Sequence, residues 1–203
     1  MPQLGRRLKP LVATLACLAT ATSLAACSTT HSEGKEFVVG VPEESLGSEA
    51  MPQSYADALA RHLVRSLSKD DRKAERKPVA ADDRMQGLRS GETAVTFGCT
   101  GELLDSMDGN RATELRKEFA EWEKAEDSQT MTAEEWKIKG YDELLSALPS
   151  EIGATVVGEA TPCHDKSLPE NTVVLYVKHR VGRDELGQMN HVVASTTMEM
   201  LGA

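Results

Sequence analysis

The chain has 203 residues, 40% hydrophobic and 27% charged, an ordinary globular balance with enough apolar material for one domain core. Acidic residues outnumber basic ones by 32 to 23, for a net charge of −9. That balance excludes binding to nucleic acid or to an anionic membrane face through bulk charge.

Residues 1–26 read as a leader and not as part of the fold. Arg6, Arg7 and Lys9 make a basic start, and residues 11–24 form a short apolar run rich in small side chains. That run is shorter than the ~20 residues a spanning helix needs. It ends in Leu24-Ala25-Ala26-Cys27, which resembles a bacterial lipobox. The resemblance implies that Cys27 is diacylated and becomes the first residue of a lipid-anchored protein on the extracytoplasmic face of the cell membrane. Two or more acyl chains anchor durably where one is marginal. The alternative is an ordinary signal peptide that leaves Cys27 as a free thiol. Residues 27–36 are polar and suit a flexible tether. Beyond the leader 20 basic and 32 acidic residues remain, a net charge of −12.

The folded part is expected over residues 37–203. Residues 37–41, all apolar or glycine, predict a central strand, and residues 42–48 a loop. Tyr55, Leu59, Leu63 and Leu67, flanked by Ala56, Ala60 and Val64, recur at helical spacing and predict an amphipathic helix to about residue 68, with Pro52 in its first turn. His62 lies beside the stripe and reads as a surface residue. Residues 69–77 predict a solvated turn and residues 76–80 a second strand. Ala81-Asp82-Asp83 then opens a helix that stops at Gly91. Residues 93–97 predict a third strand, and a Cys99-Thr100-Gly101 turn leads into a helix capped by Thr100. Gly98 and Gly101 allow unusual backbone angles there. A strand, a glycine turn and a helix start together could present free N–H groups to an anion, which makes Thr100 and Gly101 candidate ligand contacts. The β-α-β-α-β-α order predicts an α/β fold with a mostly parallel sheet, whose ligands sit beyond the carboxyl ends of the strands.

After Asp108 the pattern changes. Residues 111–127 predict a highly charged helix with a narrow stripe of Leu115, Phe119 and Trp122. Thr132-Ala133-Glu134-Glu135 is a capping box, and the helix it opens carries Trp136, Ile138, Tyr141, Leu144, Leu145 and Leu148, with Gly140 a possible kink. The spacing of Trp122, Trp136 and Tyr141 favours packing over ligand stacking. Residues 154–157 and 172–177 predict two more strands. Asn171, just before the second, is a candidate ligand contact or a turn residue. Asp184 is expected to cap a last helix bearing Leu186, Met189 and Val193, packed back on the first elements.

Cys17 leaves with the leader and Cys27 is assigned to lipidation, so Cys99 and Cys163 remain as the expected disulfide of an exported protein. Closing that loop should contribute about 3–4 kcal/mol. The alternative is a metal site of Cys99, Cys163 and His164, for which adjacent Cys-His is poor spacing.

Three stretches resemble the substrate-binding proteins of glycine betaine/choline/proline-betaine ABC importers. Leu88, Gly91, Glu92, Thr100, Gly101, Leu103 and Leu104 match the family's A-L-x-x-G-E-x-D-x-x-x-x-Y-T-G-x-L-L region. Residues 37–41 with the helix around Tyr55-Ala56-Asp57-Ala58-Leu59 are similar to its first strand and helix. Glu185-Leu186-Gly187-Gln188-Met189-Asn190 resembles its E-M-x-x-L-N run. The resemblance implies a periplasmic-binding-protein-like lobe, with residues 108–170 as a reduced, largely helical second lobe. It also implies a cleft at the 42–48 loop, where Glu43, Glu44 and Ser45 could contact a polar or cationic solute. The family's aspartate and tyrosine are replaced here by Ala94 and Cys99. With two tryptophans and three tyrosines, the chain is poorly supplied for the aromatic cage that holds a trimethylammonium group.

Two functions follow. One is a solute receptor that delivers a small polar solute to a membrane permease. The other is an envelope lipoprotein that uses the same core to dock a protein partner. The sequence has no GxSxG or HExxH motif and no paired catalytic pattern, so no enzyme, cofactor or metal is expected.

Overall fold

The computed structural model describes residues 37–43, 51–69, 72–125, 131–168 and 170–198. The expected leader, the expected tether and Cys27 lie outside the described residues, as do Glu44 and Ser45. Among the described residues five strands form one mixed sheet in the order β2-β1-β3-β5-β4. They are β1 (Phe37–Glu43), β2 (Ala74–Ala80), β3 (Val95–Cys99), β4 (Ile152–Ala154) and β5 (Thr172–Val177). Strand β1 pairs in parallel with β2 and β3, whereas β5 runs antiparallel to both β3 and β4. Four strands therefore point one way and β5 alone opposes them, so the sheet is mixed but mostly parallel, as expected of an α/β fold.

Helices cover both faces. Helix α1 (Gln53–Leu67) and helix α6 (Arg183–Ser195) lie on one side, where Tyr55, Leu59, Leu63 and Leu67 meet Phe37, Val39, Val95, Phe97, Val174, Met189 and Val193. The expected stripe of α1 is buried to the last residue, and each fully buried leucine stabilises the fold by about 1.5–3 kcal/mol. Helix α2 (Arg84–Ser90), helix α3 (Thr100–Met107) and helix α5 (Ala133–Ala147) face the other side through Met85, Leu88, Leu103 and Leu144, against Ile152, Val173, Leu175 and Val177. Alternate residues of β5 thus serve opposite faces, which is why this strand is apolar from Val173 to Val177. Helix α4 (Gly109–Lys124) completes an outer cluster in which Phe119, Trp122 and Trp136 stack around Leu104, Ala112 and Leu115. Residues 108–168 thus supply α4 and α5, which pack on α3, and β4, which joins the one sheet.

Several local starts and stops agree with expectation. Gly91 ends α2 at φ 75°, where only glycine is unstrained. Thr132 and Glu135 form the reciprocal capping box of α5. Others need correction. Cys99, not Thr100, is the N-cap of α3, because β3 continues through Cys99 and Thr100 is already helical. Gly98 and Gly101 do not have positive φ; they admit close neighbours instead. An added Cβ would lie 2.4 Å from Arg84 Nη1 at Gly98 and 2.6 Å from Glu170 Oε1 at Gly101. Pro52 is the N-cap of α1 and precedes its first turn. Gly140 does not split α5, which runs unbroken from Ala133 to Ala147. Strand β4 is displaced from the expected 154–157 to Ile152–Ala154. His62 is half-buried, with Nδ1 3.3 Å from Thr196 Oγ1.

The last helix is capped by Gly182 and not by Asp184. The reason is tertiary. Glu185 Oε2 accepts the Gly182 N–H at 2.7 Å, while its Oε1 accepts from Lys69 Nζ at 2.6 Å and Arg72 Nη2 at 2.9 Å. A carboxylate that caps its own helix and joins two cations from another segment outcompetes an exposed aspartate.

Candidate functional site

The carboxyl ends of the parallel strands form one edge of the sheet. Strand β3 ends there at Cys99, and because β5 is antiparallel it begins there, with Thr172 opposite Cys99. Val39 pairs with Val95, and continuing that register sets exposed Glu43 level with Cys99. The edge therefore gathers Glu43, Cys99, Thr100, Gly101 and Asn171, four of them buried.

Thr100 and Asn171 are joined to each other. The Thr100 N–H donates to the Asn171 carbonyl at 2.9 Å, and the Asn171 N–H donates to Thr100 Oγ1 at 3.1 Å. These bonds continue the β3–β5 ladder one step beyond the strands and satisfy groups that burial would otherwise penalise.

Cys99 and Cys163 form the expected disulfide, with Cα atoms 5.8 Å apart and a sequence separation of 64. It ties the end of β3 to the loop before β5. Arg116 holds the same loop from α4, donating through Nε to Ser167 Oγ at 3.1 Å and through Nη2 to Asp165 Oδ2 at 3.4 Å while also pairing with Asp105.

That loop delivers a residue the sequence reading passed over. Glu170 is 4% exposed, and its Oε1 accepts the Glu102 N–H at 3.0 Å. The start of α3, expected to meet an anion, is thus occupied by a carboxyl group of the chain itself. Glu170 Oε2 is buried without a hydrogen-bond partner. Burial pushes the Glu170 carboxyl up to about 8; the nearby charges of Asp165 and Glu102 push the same way against the Glu102 N–H and Arg116. Glu102 itself turns aside to Arg84, a buried guanidinium that also donates to the carbonyls of Ala81 at 2.9 Å and Phe97 at 3.1 Å.

A carboxylate oxygen of Glu170 and the sulfurs of Cys99 and Cys163 lie within 4.8 Å of one another. His164, the third ligand of the metal alternative considered from sequence, is exposed and does not join this group; Glu170 takes its place. The only sequence signal for Glu170 is an acidic residue two places before a nearly all-apolar strand, and it acquires meaning once β5 is known to start beside the end of β3. Among the described residues no helix is long and apolar enough to cross a membrane. Comparison of the chain with protein-family models, curated proteins and solved structures finds no match.

Proposed function

We propose that this chain is a lipid-anchored extracytoplasmic protein, held to the membrane through Cys27, whose α/β unit docks a protein partner of the cell envelope. The observation that carries this reading is the state of the sheet edge. The Thr100 N–H and hydroxyl are bonded to the Asn171 carbonyl and N–H, and Glu170 fills the start of α3, so these groups are not free to hold a small solute. A second reading, a receptor that resembles the betaine-type importers and hands a small polar or cationic solute to a permease, is favoured by Glu43. That carboxylate is exposed at the end of β1, level with Cys99.

A thermal-shift screen against betaines, choline, amino acids, polyamines and sugars separates the two. A ligand at about 100 times its dissociation constant adds roughly 2.7 kcal/mol, a rise of about 5–10 °C for a domain of this size. Partner docking predicts no such response, together with recovery of one envelope protein by cross-linking in intact cells. A specific ligand shift would transfer the assignment to the receptor. Anchoring is tested separately: Cys27→Ser should release the protein from the membrane fraction, and unchanged retention would remove the lipoprotein assignment.

A further inference from the structure

The buried group of Cys99, Cys163 and Glu170 has a use beyond holding a loop. We infer that it is a redox-gated site for a borderline-soft divalent cation of the zinc class, closed while the disulfide is intact and open when it is reduced.

Three observations support it. The donor atoms of all three side chains already lie within 4.8 Å of one another, from three separate places in the chain: the end of β3, the loop before β5, and the residue that leads into β5. Glu170 is more than nine-tenths buried, and its Oε2 has no hydrogen-bond partner, whereas Oε1 is engaged by the Glu102 N–H. A buried polar atom left unpaired is rare, and a bound ion is one way to satisfy it. The donor set is also chemically coherent. Two thiolates and one carboxylate are ligands that zinc accepts in a tetrahedral site, with a fourth position left over.

The geometry permits the change of state. Tetrahedral zinc at its usual bond length to sulfur holds two sulfurs about 3.8 Å apart. The Cα atoms, 5.8 Å apart, allow that separation by side-chain rotation once the bond is cut. The charge is manageable as well. A divalent ion with two thiolates and a carboxylate carries one net negative charge, beside the N-terminus of α3 and near buried Arg84, which contacts Glu102 in the first turn of that helix.

The reaction balances with a phosphine as reductant. The phosphine attacks one sulfur and the S–S bond breaks. Water then supplies the oxygen of the phosphine oxide and the two protons of the thiols. On metal binding the two thiols and the Glu170 carboxyl release their protons to solvent as the two metal–sulfur bonds and one metal–oxygen bond form.

The test uses full-length protein carrying Cys17→Ser and Cys27→Ser, so that Cys99 and Cys163 are the only thiols. Cobalt(II) is the probe, because thiolate ligation produces an intense charge-transfer absorption. Phosphine-reduced protein should bind one equivalent with that absorption, and the oxidised protein should not. Glu170→Gln, which keeps the shape and removes the ligand charge, should weaken binding by at least about tenfold, the lower end of what losing even an outer-shell partner costs a metal site. Circular dichroism of each variant, with and without metal, establishes whether it is folded.

The inference is overturned if reduced protein shows no thiolate absorption, if Glu170→Gln binds cobalt as tightly as the parent, or if reduced protein is unfolded and metal does not restore it. Should Glu170→Gln fail to fold, X-ray absorption of the zinc-loaded parent decides. Two sulfurs and at least one oxygen around zinc support the site, and fewer than two sulfurs refute it.

Discussion

Glu185→Gln is the most informative perturbation of the fold. Glu185 is 7% exposed and receives three hydrogen bonds: from Lys69 at 2.6 Å, from Arg72 at 2.9 Å and from the Gly182 N–H at 2.7 Å. Arg72 in turn sits 4.4 Å from the centre of the Phe37 ring, so the carboxylate fastens the start of α6 to the segment between α1 and β2. Burial raises the pKa of Glu185, but the hydrogen bonds from Lys69 and Gly182 and the charges of Lys69 and Arg72 outweigh it and bring the carboxyl down to about 2.

A carboxyl lowered from its ordinary value of 4.5 by that much is worth on the order of 3 kcal/mol in the ionised form. The two cations are 39% and 28% exposed and can turn to water when their partner is lost, which reduces the expected cost to about 2–3 kcal/mol. Because the folded pKa is the lower one, this stability is fully present above pH 4.5 and is lost as the pH falls toward 2. Urea denaturation followed by circular dichroism should therefore show wild type more stable than Glu185→Gln by about 2–3 kcal/mol at pH 7, with the gap closing between pH 4.5 and 2. The melting temperature at pH 7 should fall by roughly 5–10 °C. A gap below about 0.5 kcal/mol at pH 7, the level of an ordinary surface substitution, would refute the reasoning. So would a gap of the same size at pH 2.

Three further outcomes are expected. Replacing Cys99 and Cys163 by alanine together removes a constraint on a loop of 64 residues and should cost about 4 kcal/mol on the chain-entropy account; overlapping urea curves for wild type with and without reductant would contradict this. Gly187→Ala, in the exposed middle of α6 with nothing within 4 Å of the new Cβ, should stabilise by about 0.5–1 kcal/mol, seen as a higher melting temperature. Gly158→Ala should do the opposite by about 1–3 kcal/mol in the same assay, because its Cβ would lie 2.7 Å from the Val193 carbonyl oxygen, a backbone atom that cannot rotate away.

The limits of reading the chain from sequence can be argued from particular residues. The α1 stripe, the Gly91 stop, the Thr132–Glu135 cap and the β5 segment were legible because each rests on spacing within a few residues. The cap of α6 was not: by local rules Asp184 is a preferred N-cap, whereas Glu185 serves as the N3 partner of Gly182 and is held there by Lys69 and Arg72, more than a hundred positions away. Likewise Thr100 has the chemistry of a cap, but its hydroxyl is claimed by the Asn171 N–H across the sheet edge.

By itself the sequence determined an α/β fold with its order of elements, and, through the count of cysteines beyond residue 36, the Cys99–Cys163 pair. These follow from periodicity and from chemistry that does not depend on where distant parts of the chain go. Only the tertiary structure decided that β5 runs against its neighbours between β3 and β4. A strand buried on both faces has the same apolar pattern read in either direction, so its sequence carries no mark of orientation. That orientation places Glu170 at the start of α3 beside the disulfide, and a loop glutamate becomes a buried, half-satisfied carboxyl at the centre of the candidate site.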